Sequence, residues 1–443
     1  MSLRSDEHLF ELMTPFEQSA GTVQCDVPDR ERSREHLENH RVAERAGCKS
    51  LPFRVTLLTG GGDRPYALGM ACSLVRQDIA VDFIGSDELD APELHRAPLI
   101  KFLNLRGDQT PNAPLYRKIT RIFAYYARLM KYVSRSEARI FHILWNNKFE
   151  LIDRTFLMLY YKSMGKRILL TAHNVNTQKR DARDSFLNRL SLRIQYRLSD
   201  QIFVHSRRTK SELVSDFGVA ENKVSVIPFG INNTVPNTRL STADAKRQFG
   251  ISKDEKTLLF FGNIAPYKGL EYLTAAFNKI LKKDRSYRLI IAGRVKACES
   301  YWRTIEQSIA SSGESERIIQ KIEYIPDEQT EIYFKAADVL VLPYTSVFQS
   351  GVLFLGYAFG LPAIATNVGS LGDDIIQGET GFLCQATDSD ELARAIRTYF
   401  ASNLYENLET RRSQIQQFAN KRHSWTAVGE LLERAYRQVL LVK

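Results

Sequence analysis

The most constraining feature of this chain is a strand, a glycine-bounded loop and a helix that follow one another near the middle of the sequence. Residues 258–261 are an apolar run typical of a buried strand, and the loop 262–269 that follows carries one lysine, Lys268. Residues 271–277 then open a helix. The helix dipole and the first N–H groups of the helix favour an anion at such a loop, and lysine suits phosphate. The alternative is an ordinary strand-to-helix connection in which the glycines serve geometry only.

The same alternation of short apolar runs with longer helical stretches occurs in both halves of the chain. The predicted strands lie at residues 55–58, 80–84, 140–144, 167–171, 201–204, 224–227, 257–261, 289–292, 322–324, 339–342 and 363–366. Strands separated by helices form parallel sheets with crossover connections. We therefore expect an α/β fold of two doubly wound, Rossmann-like domains facing a cleft. Ligands bind at the carboxyl ends of the strands in such folds.

A chain of 443 residues exceeds one ordinary domain, which fits two domains. Residues 1–50 are charge-dense and predict a polar N-terminal extension. We expect an N-terminal domain at 51–229 and a C-terminal domain at 230–420. Residues 421–443 predict a final amphipathic helix.

Composition narrows the class of partner and the compartment. The net charge of +10 favours anionic partners such as nucleotides, acidic lipids or nucleic acids. No aromatic motif of the usual nucleic-acid modules is present, so nucleic acid is not expected. The five cysteines are dispersed without CxxC or CxH spacing, which argues against a zinc site and a disulfide framework. With no long apolar window and no apolar signal core, the sequence predicts a cytoplasmic protein.

Four loops at strand ends of the second half are expected to converge on one site. They are the loop 262–269, the pair 293–294, the turn 324–326 and the loop 343–354. Arg294 suits a phosphate or a base, and residues 350–352 offer backbone N–H groups to a diphosphate. Individually these residues have plainer interpretations, since Arg294 could be a surface residue and Gln349 and Ser350 could cap a helix.

The chain from about 52 to 440 resembles glycosyltransferase family 4, the retaining nucleotide-sugar transferases with the GT-B fold. The resemblance is carried by residues 227–231, 262–264, 268–269, 336–343, 359–366, 378–382 and 424–425. It implies that the final helix crosses back to the first domain. It also implies an enzyme of the hexosyltransferase type that transfers a sugar with retention.

The same resemblance implies which residues form the site. Lys268 would contact the donor diphosphate, and His173 looks like the cleft-facing histidine of the family; these two are the expected catalytic residues. Packing or helix capping is the alternative for His173. The expected donor-binding set is Gly61, Gly62, Gly262, Asn263, Lys268, Arg294, Tyr324, Ile325, Gln349, Ser350, Gly351 and Val352.

Two departures from the family pattern affect this expectation. Asn263 stands where the family usually has an arginine, and we expect Arg294 to supply the missing charge. The places of the family's two glutamates fall on Val347 and Leu355, or the first falls on Gln349 in a shifted alignment, which leaves the mode of ribose recognition open. The same losses would also fit an inactive site.

The sequence predicts no bound metal and no permanently bound cofactor, with a UDP- or GDP-sugar as substrate. No DxD motif stands at a strand end. Asp388-Ser389-Asp390 has the letters, but it precedes a helix and is typical of an N-cap.

Residues 115–135 form a basic segment without an acidic residue, and we assign it to the acceptor or membrane side. Its basic residues include Arg117, Lys118, Arg121, Arg128 and Lys131, while Ile119, Ile122, Phe123, Tyr126, Met130 and Val133 recur near helical spacing. This pattern suits a helix on an anionic membrane surface. The alternative is a core-packing helix with a solvated basic face. A second basic run spans residues 179–197.

Together these features predict a transferase that moves a sugar from a nucleotide diphosphate sugar to a glycan or lipid-linked acceptor. We expect it to act in bacterial-type polysaccharide or glycolipid synthesis, at the inner face of a membrane. The alternatives are a catalytically inactive GT-B partner protein and a nucleotide-sugar epimerase.

Overall fold

A computed structural model describes residues 53–110, 114–147, 149–173, 175, 185–231, 235–296 and 298–441. The predicted extension 1–50 therefore lies outside the described residues. The chain forms two compact units. The described part of the N-terminal unit comprises residues 53–230 and 425–441, and the C-terminal unit comprises residues 231–424.

The N-terminal unit alternates strands and helices. Its strands are β1 (Arg54–Leu58), β2 (Ala80–Gly85), β3 (Ile100–Asn104), β4 (Ile140–Ile143), β5 (Arg167–Thr171), β6 (Gln201–Val204) and β7 (Val224–Val226). Its helices are α1 (Arg64–Val75), α2 (Pro92–Arg96), α3 (Leu115–Arg135), α4 (Glu150–Ile152), a π-helical turn (Asp153–Leu157), α5 (Met158–Ser163), α6 (Phe186–Leu198), α7 (Arg207–Phe217) and the final helix α17 (Trp425–Leu441).

The C-terminal unit repeats this alternation. Its strands are β8 (Lys256–Phe261), β9 (Tyr287–Ala292), β10 (Ile318–Lys321), β11 (Val339–Leu342), β12 (Ala363–Thr366) and β13 (Gly381–Cys384). Its helices are α8 (Thr242–Gln248), α9 (Leu270–Leu281), α10 (Glu299–Ser311), α11 (Asp327–Ala336), α12 (Gly351–Ala358), α13 (Leu371–Asp374), α14 (Ser389–Phe400), α15 (Asn403–Glu406) and α16 (Leu408–His423).

Both sheets are parallel, and the order in which the strands follow one another reverses at one point in each sheet. The strand orders in the described chain are β3-β2-β1-β4-β5-β6-β7 and β10-β9-β8-β11-β12-β13. The order therefore switches between β1 and β4 and between β8 and β11. Doubly wound sheets bind ligands at the carboxyl ends of the strands beside such a switch. The predicted fold class of two doubly wound α/β sheets is confirmed.

Buried apolar strands explain why the sheets form. Four of the five residues of β1 are buried, and every residue of β11 is fully buried. Strands shielded on both faces are expected in parallel sheets covered by helices. The helix after β1 is fixed by Asp63, whose side chain accepts a hydrogen bond from the backbone N–H of Tyr66 at the N-cap.

The last helix, α17, completes the core of the N-terminal unit. Val428, Leu432 and Tyr436 are buried in the same cluster as strand β1 and helix α1. The hydroxyl of Tyr436 lies 2.6 Å from Nδ1 of buried His142. The helix that returns to this unit begins at Trp425, whereas residues 421–423, which we had grouped with it, end helix α16.

Three further expectations need correction. The predicted strand at 322–324 is wrong, because the strand there is β10, which ends at Lys321. Strands β3 and β13 had no counterpart among the predicted strands. Cys298 and Cys384 are free thiols, but Cys72 is disulfide-bonded, which the dispersed spacing of the cysteines did not predict. No helix in the described ranges combines the length and the apolar composition that a membrane crossing requires.

Candidate active site

Lys268 is a buried cation at the switch point of the C-terminal sheet. Its side chain is 7 % exposed, and its Nζ donates a hydrogen bond to the hydroxyl of Tyr344 at 2.7 Å. The Nζ also lies 4.3 Å from the centre of the Tyr344 ring. Within the described part of the chain, no carboxylate pairs with Lys268. A buried charge without a counter-ion is costly, so Lys268 is a candidate contact for an anion.

Glycines allow the loops around Lys268 to pass in direct contact. Gly269 has φ +65°, and a Cβ there would come 2.0 Å from the carbonyl oxygen of Pro343. A Cβ at Gly293 would come 1.9 Å from the carbonyl oxygen of Gly262. The loops after β8, β9 and β11 are therefore packed backbone against backbone. A backbone at such close range is what a phosphate-binding loop requires.

Arg294 lies beside Asn263, where the sequence placed it. Its Nε donates to Oδ1 of Asn263 at 3.4 Å, and its guanidinium lies 5.7 Å from the centre of the Tyr324 ring. Arg294 thus brings positive charge to the asparagine that replaces the family's usual arginine. The side chain of Ile325 is buried, so this residue offers only its backbone to a ligand.

The N-terminus of α12 lies next to Tyr344, the residue that Lys268 contacts. Ser350 is the N-cap residue, but its side chain makes no capping hydrogen bond; its Oγ lies 3.3 Å from the Tyr344 hydroxyl instead. Val352 approaches the loop after β8, since a Cβ at Gly262 would come 3.3 Å from its Cγ2. The structure therefore brings Lys268 and Ser350 of the predicted donor set together around Tyr344, and it places Val352 against Gly262.

Gln349 contacts a buried carboxyl group that the sequence interpretation missed. Its Nε2 donates to Oδ2 of Asp374 at 3.3 Å. Burial raises the pKa of Asp374 to about 7, although Ser370 and Arg422 act in the opposite direction. Asp373-Asp374 looks like an ordinary surface pair in the sequence, and nothing in the pattern marks the second aspartate as buried.

The glycine turn after β1 occupies the switch point of the N-terminal sheet. Gly60 and Gly61 have φ values of +58° and +75°. A Cβ at Gly61 would come 2.2 Å from Nη1 of Arg106, and a Cβ at Gly62 would come 2.1 Å from the ring of Trp145. Neither Arg106 nor Trp145 was among the predicted site residues. Arg106 follows β3, a strand the sequence did not reveal.

His173 packs in an aromatic cluster beside this turn. Its ring stacks on Trp145 with centroids 4.3 Å apart, and Tyr66 meets it edge-on at 4.8 Å. Burial, together with nearby His205 and His142, lowers the pKa of His173 well below its usual value. The histidine is therefore neutral, and the packing role considered for it is present. Its Nε2 has no hydrogen-bond partner among the described residues.

The predicted basic segment is helix α3, and part of its charge is already engaged. Arg121 pairs with Asp108 at 3.2 Å, and Arg128 donates to the carbonyl oxygen of Leu105 at 3.4 Å. Arg117 and Lys131 are exposed, and Lys118 is half-buried. Val133 is buried in the core, so the predicted apolar face divides into a buried stripe and an exposed one.

Exposed apolar side chains lie on α3 and on the segments 149–164 and 186–190. Helix α3 is tied to the next segment by Tyr126, whose hydroxyl donates to Asp153 at 2.7 Å, and that segment is tied to α6 by Arg154 and Asn188 at 2.6 Å. We call the exposed set the apolar surface. It consists of Tyr116, Ile119, Phe123, Met130, Phe149, Leu151, Ile152, Phe156, Leu159, Met164, Phe186, Leu187 and Leu190.

The one DxD motif of the second half is a helix cap, as its position predicted. Oδ1 of Asp388 accepts hydrogen bonds from the N–H groups of Asp390 and Glu391 at 2.8 and 3.0 Å. These contacts fix the first turn of α14.

Sequence comparison places known families on both units. Residues 60–234 match the family described as "Glycosyltransferase Family 4", and residues 255–402 match "Glycosyl transferases group 1". A D-inositol 3-phosphate glycosyltransferase of Corynebacterium efficiens is 22% identical over 393 residues, which is 85% of this chain and 90% of that protein.

Solved structures agree on the fold. The sucrose-phosphate synthase of Thermosynechococcus elongatus superposes with a TM-score of 0.66 at 20% identity, over 88% of this chain and 100% of that one. Anabaena Alr3699/HepE in complex with UDP gives 0.66 at 15% identity, over 88% and 100%. A glycosyltransferase from Rickettsia africae gives 0.68 at 14% identity, over 89% and 100%. Because the family matches run in order through residues 60–234 and 255–402, the chain belongs to glycosyltransferase family 4.

Proposed function

We propose that this transferase takes its sugar from a nucleoside diphosphate sugar held by the C-terminal unit. The observation that carries the proposal is Lys268, a buried cation without a carboxylate partner in the described residues, placed beside Ser350 at the start of α12. A leaving diphosphate gains negative charge as its bond to the sugar breaks. A fixed cation and preorganised N–H groups stabilise that charge at little reorganisation cost.

We propose transfer with retention of configuration and without a metal. The acceptor hydroxyl would attack from the face that the diphosphate leaves, and a phosphate oxygen would take its proton. Lys268 and Arg294 supply the positive charge that such a departure needs, and Asp388 is engaged as a helix cap. Anabaena Alr3699/HepE was solved with UDP, so a UDP-sugar is the first donor to test, followed by a GDP-sugar.

The test replaces Lys268 by alanine, with Lys282→Ala as control because Lys282 is exposed on the same unit. Loss of one donor to developing charge typically lowers turnover by about 10²–10³-fold. We expect Lys268→Ala to show such a loss and to abolish thermal stabilisation by UDP or GDP, and Lys282→Ala to behave as wild type. Near wild-type turnover in a folded Lys268→Ala protein would refute the assignment. Nucleotide binding by the wild type without sugar transfer from any donor would instead favour the inactive-partner alternative.

We also propose that the acceptor is a glycan or lipid-linked molecule used at the inner face of a membrane, with the protein bound peripherally. Support comes from the apolar surface, on which Phe123, Phe156 and Phe186 are 72 %, 78 % and 79 % exposed. Contiguous exposed apolar side chains mark interaction sites. Basic residues on α3 and α6, such as Lys131 and Arg193, flank it, and neither helix contains an acidic residue. Apolar side chains bordered by cations suit an anionic bilayer.

A further inference from the structure

The side chain of Arg106 packs against the glycine turn at the switch point of the N-terminal sheet. It follows β3 along the chain, yet its guanidinium lies directly on the glycine turn after β1. The 2.2 Å separation between Nη1 and the Cβ position of Gly61 leaves room for a hydrogen atom alone. The φ of +75° favours glycine at this position, and any Cβ at Gly61 would displace the guanidinium from the turn.

The guanidinium is held in place without being neutralised. The backbone N–H of Arg106 donates to Gly85 at 3.2 Å, and its carbonyl accepts from Gln109 at 3.0 Å. The side chain lies 5.7 Å from the centre of the Tyr125 ring. Its Nη1 is buried without a hydrogen-bond partner, and Arg106 forms no ion pair with any described residue.

Asp153, a carboxyl group close enough for its pKa to respond to Arg106, is already engaged elsewhere. Asp153 accepts hydrogen bonds from the Tyr126 hydroxyl at 2.7 Å and from the backbone N–H of Asn147 at 2.5 Å. Burial raises the pKa of Asp153, which favours its neutral form, although Arg106 itself acts in the opposite direction. The guanidinium fork therefore keeps its capacity for a second anion, and an uncompensated guanidinium beside a glycine turn suits phosphate oxygens.

Further unpaired polar atoms lie around the same turn. Oδ1 of Asn147 and Nε2 of His173 are both buried without a partner in the described ranges. The first can accept a hydrogen bond from a hydroxyl group, and the neutral imidazole can donate or accept according to its tautomer. Trp145 adds an aromatic surface against Gly62. These groups suit hydroxyls attached to the same ligand that carries the anion.

We infer that Arg106 binds a phosphate ester of the acceptor, in a subsite formed with the glycine turn, Asn147 and His173. This inference rests on the proposed function, because it assigns the acceptor to the N-terminal unit. The phosphate ester can belong to a free phosphorylated polyol or to a lipid headgroup. Both sources present the same tetrahedral dianion or monoanion to the guanidinium.

The experiment measures binding of two matched ligand pairs to the full chain by calorimetry. Glycerol 3-phosphate and glycerol test the free source, and dihexanoyl phosphatidic acid and dihexanoyl glycerol, kept below their micelle concentrations, test the lipid source. The variants are Arg106→Gln, Arg106→Lys and the control Arg139→Gln, an exposed arginine of the same unit. UDP binding is measured on every variant and on Lys268→Ala.

We expect one phosphorylated ligand to bind the wild type and its uncharged partner not to bind. Loss of a charge-assisted hydrogen bond should weaken that binding about 10- to 100-fold in Arg106→Gln, with partial recovery in Arg106→Lys. Arg139→Gln should bind as wild type. UDP binding should persist in Arg106→Gln and disappear in Lys268→Ala, which separates this subsite from the proposed donor site.

Three outcomes would overturn the inference. One is a wild type that binds neither phosphorylated ligand, and another is an Arg106→Gln protein that binds as tightly as Arg139→Gln. The third is parallel loss of UDP binding in Arg106→Gln, which would assign Arg106 to the donor. Should Arg106→Gln fail to fold, as shown by its melting curve, the comparison of Arg106→Lys with wild type decides in the same way. None of these outcomes depends on whether Lys268→Ala loses transferase activity.

Discussion

At the scale of single residues, the C-terminal unit buries two ionisable side chains, those of Lys268 and Asp374. Lys268 keeps its position through the hydroxyl and the ring of Tyr344. Asp374 is held next to Gln349 of the α12 loop, where its ionisation would add a negative charge near the predicted diphosphate site. A carboxyl group whose pKa is raised by burial lowers stability once the unfolded chain can ionise.

Asp374→Asn should therefore stabilise the protein at neutral pH but not in acid. Below the unfolded pKa, 3.8, both states are protonated and the carboxyl contributes no penalty. As pH rises to about 7, the folded state keeps a proton that the unfolded state has lost, and the penalty grows. The gain of the variant should be roughly 2–4 kcal/mol at pH 8 and near zero at pH 4, measured by denaturant unfolding.

Asp373→Asn is the matched control, since Asp373 is exposed beside Asp374. It should change the pH dependence far less than Asp374→Asn does, because the charge of Asp373 is the smallest of the contributions to the pKa of Asp374. A loss of stability in Asp374→Asn that is present at neutral pH and disappears in acid would mean that the carboxylate is charged and paired in the folded protein.

At the scale of elements, helix α3 combines three stripes. Leu129 and Val133 face the core, Ile119, Phe123 and Met130 belong to the exposed apolar surface, and the basic residues lie on the remaining face. Ordinary surface helices need only an apolar and a polar face. The exposed apolar stripe is continued by residues of the neighbouring segment, including Phe156, which favours one binding surface over scattered exposure.

Phe123→Ser combined with Phe156→Ser should weaken sedimentation with anionic vesicles by about tenfold or more, because each inserted side chain loses apolar burial. The measurement is co-sedimentation with phosphatidylcholine vesicles with and without phosphatidylserine, at low and high salt. Leu441→Ser is the control, since this exposed leucine lies outside the apolar surface. Absence of wild-type sedimentation at low salt, or an unchanged double variant, would argue instead for a protein partner.

At the scale of the whole molecule, the N-terminal unit is built from two distant parts of the chain. The ring of Trp425 fills the space beside Gly69 and Gly230, where a Cβ would come within 2.1 and 2.5 Å of it. Val428, Leu432 and Tyr436 then extend the core along α1.

Removal of residues 425–443 should destabilise the N-terminal unit selectively. Hydrogen exchange should rise in strands β1, β2 and β4, while strands β8 and β11 keep their protection. The milder Tyr436→Phe removes only the hydroxyl that meets His142 and should cost about 1–2 kcal/mol. Equal loss of protection in both units, or in neither, would contradict this division.

The strands were predictable wherever an apolar run is bounded by polar residues or glycine, as in β5 and β6. Strand β3 was missed because its polar residues, Lys101 and Asn104, interrupt the apolar pattern, and the true β10 ends in Gln320 and Lys321. In the β10 region, the neighbouring run 322–324 attracted the prediction because Ile322 and Tyr324 alternate with Glu323, as in a half-buried strand. A local sequence pattern cannot identify which of two adjacent runs forms the strand, because pairing with the neighbouring strands of the sheet decides this.

Only those parts of the candidate site that lie close together in the sequence were predictable. The glycine loop and Lys268 are contiguous in sequence, and Arg294 lies at a strand end, so both could be found. Arg106 and Asp374 depend on contacts between residues distant in sequence, with Gly61 and Gln349 respectively. Their roles as site residues, like that of Lys268, remain proposals for the experiments above.

Because α17 packs into the N-terminal unit, it also affects the order in which the two units can finish folding during synthesis. Domains generally fold as they emerge, in N- to C-terminal order. Here Trp425, Val428 and Tyr436 leave the ribosome after residues 231–424, although they complete the core that β1 begins. The core of the N-terminal unit can therefore be completed only after the whole of residues 231–424 has been made.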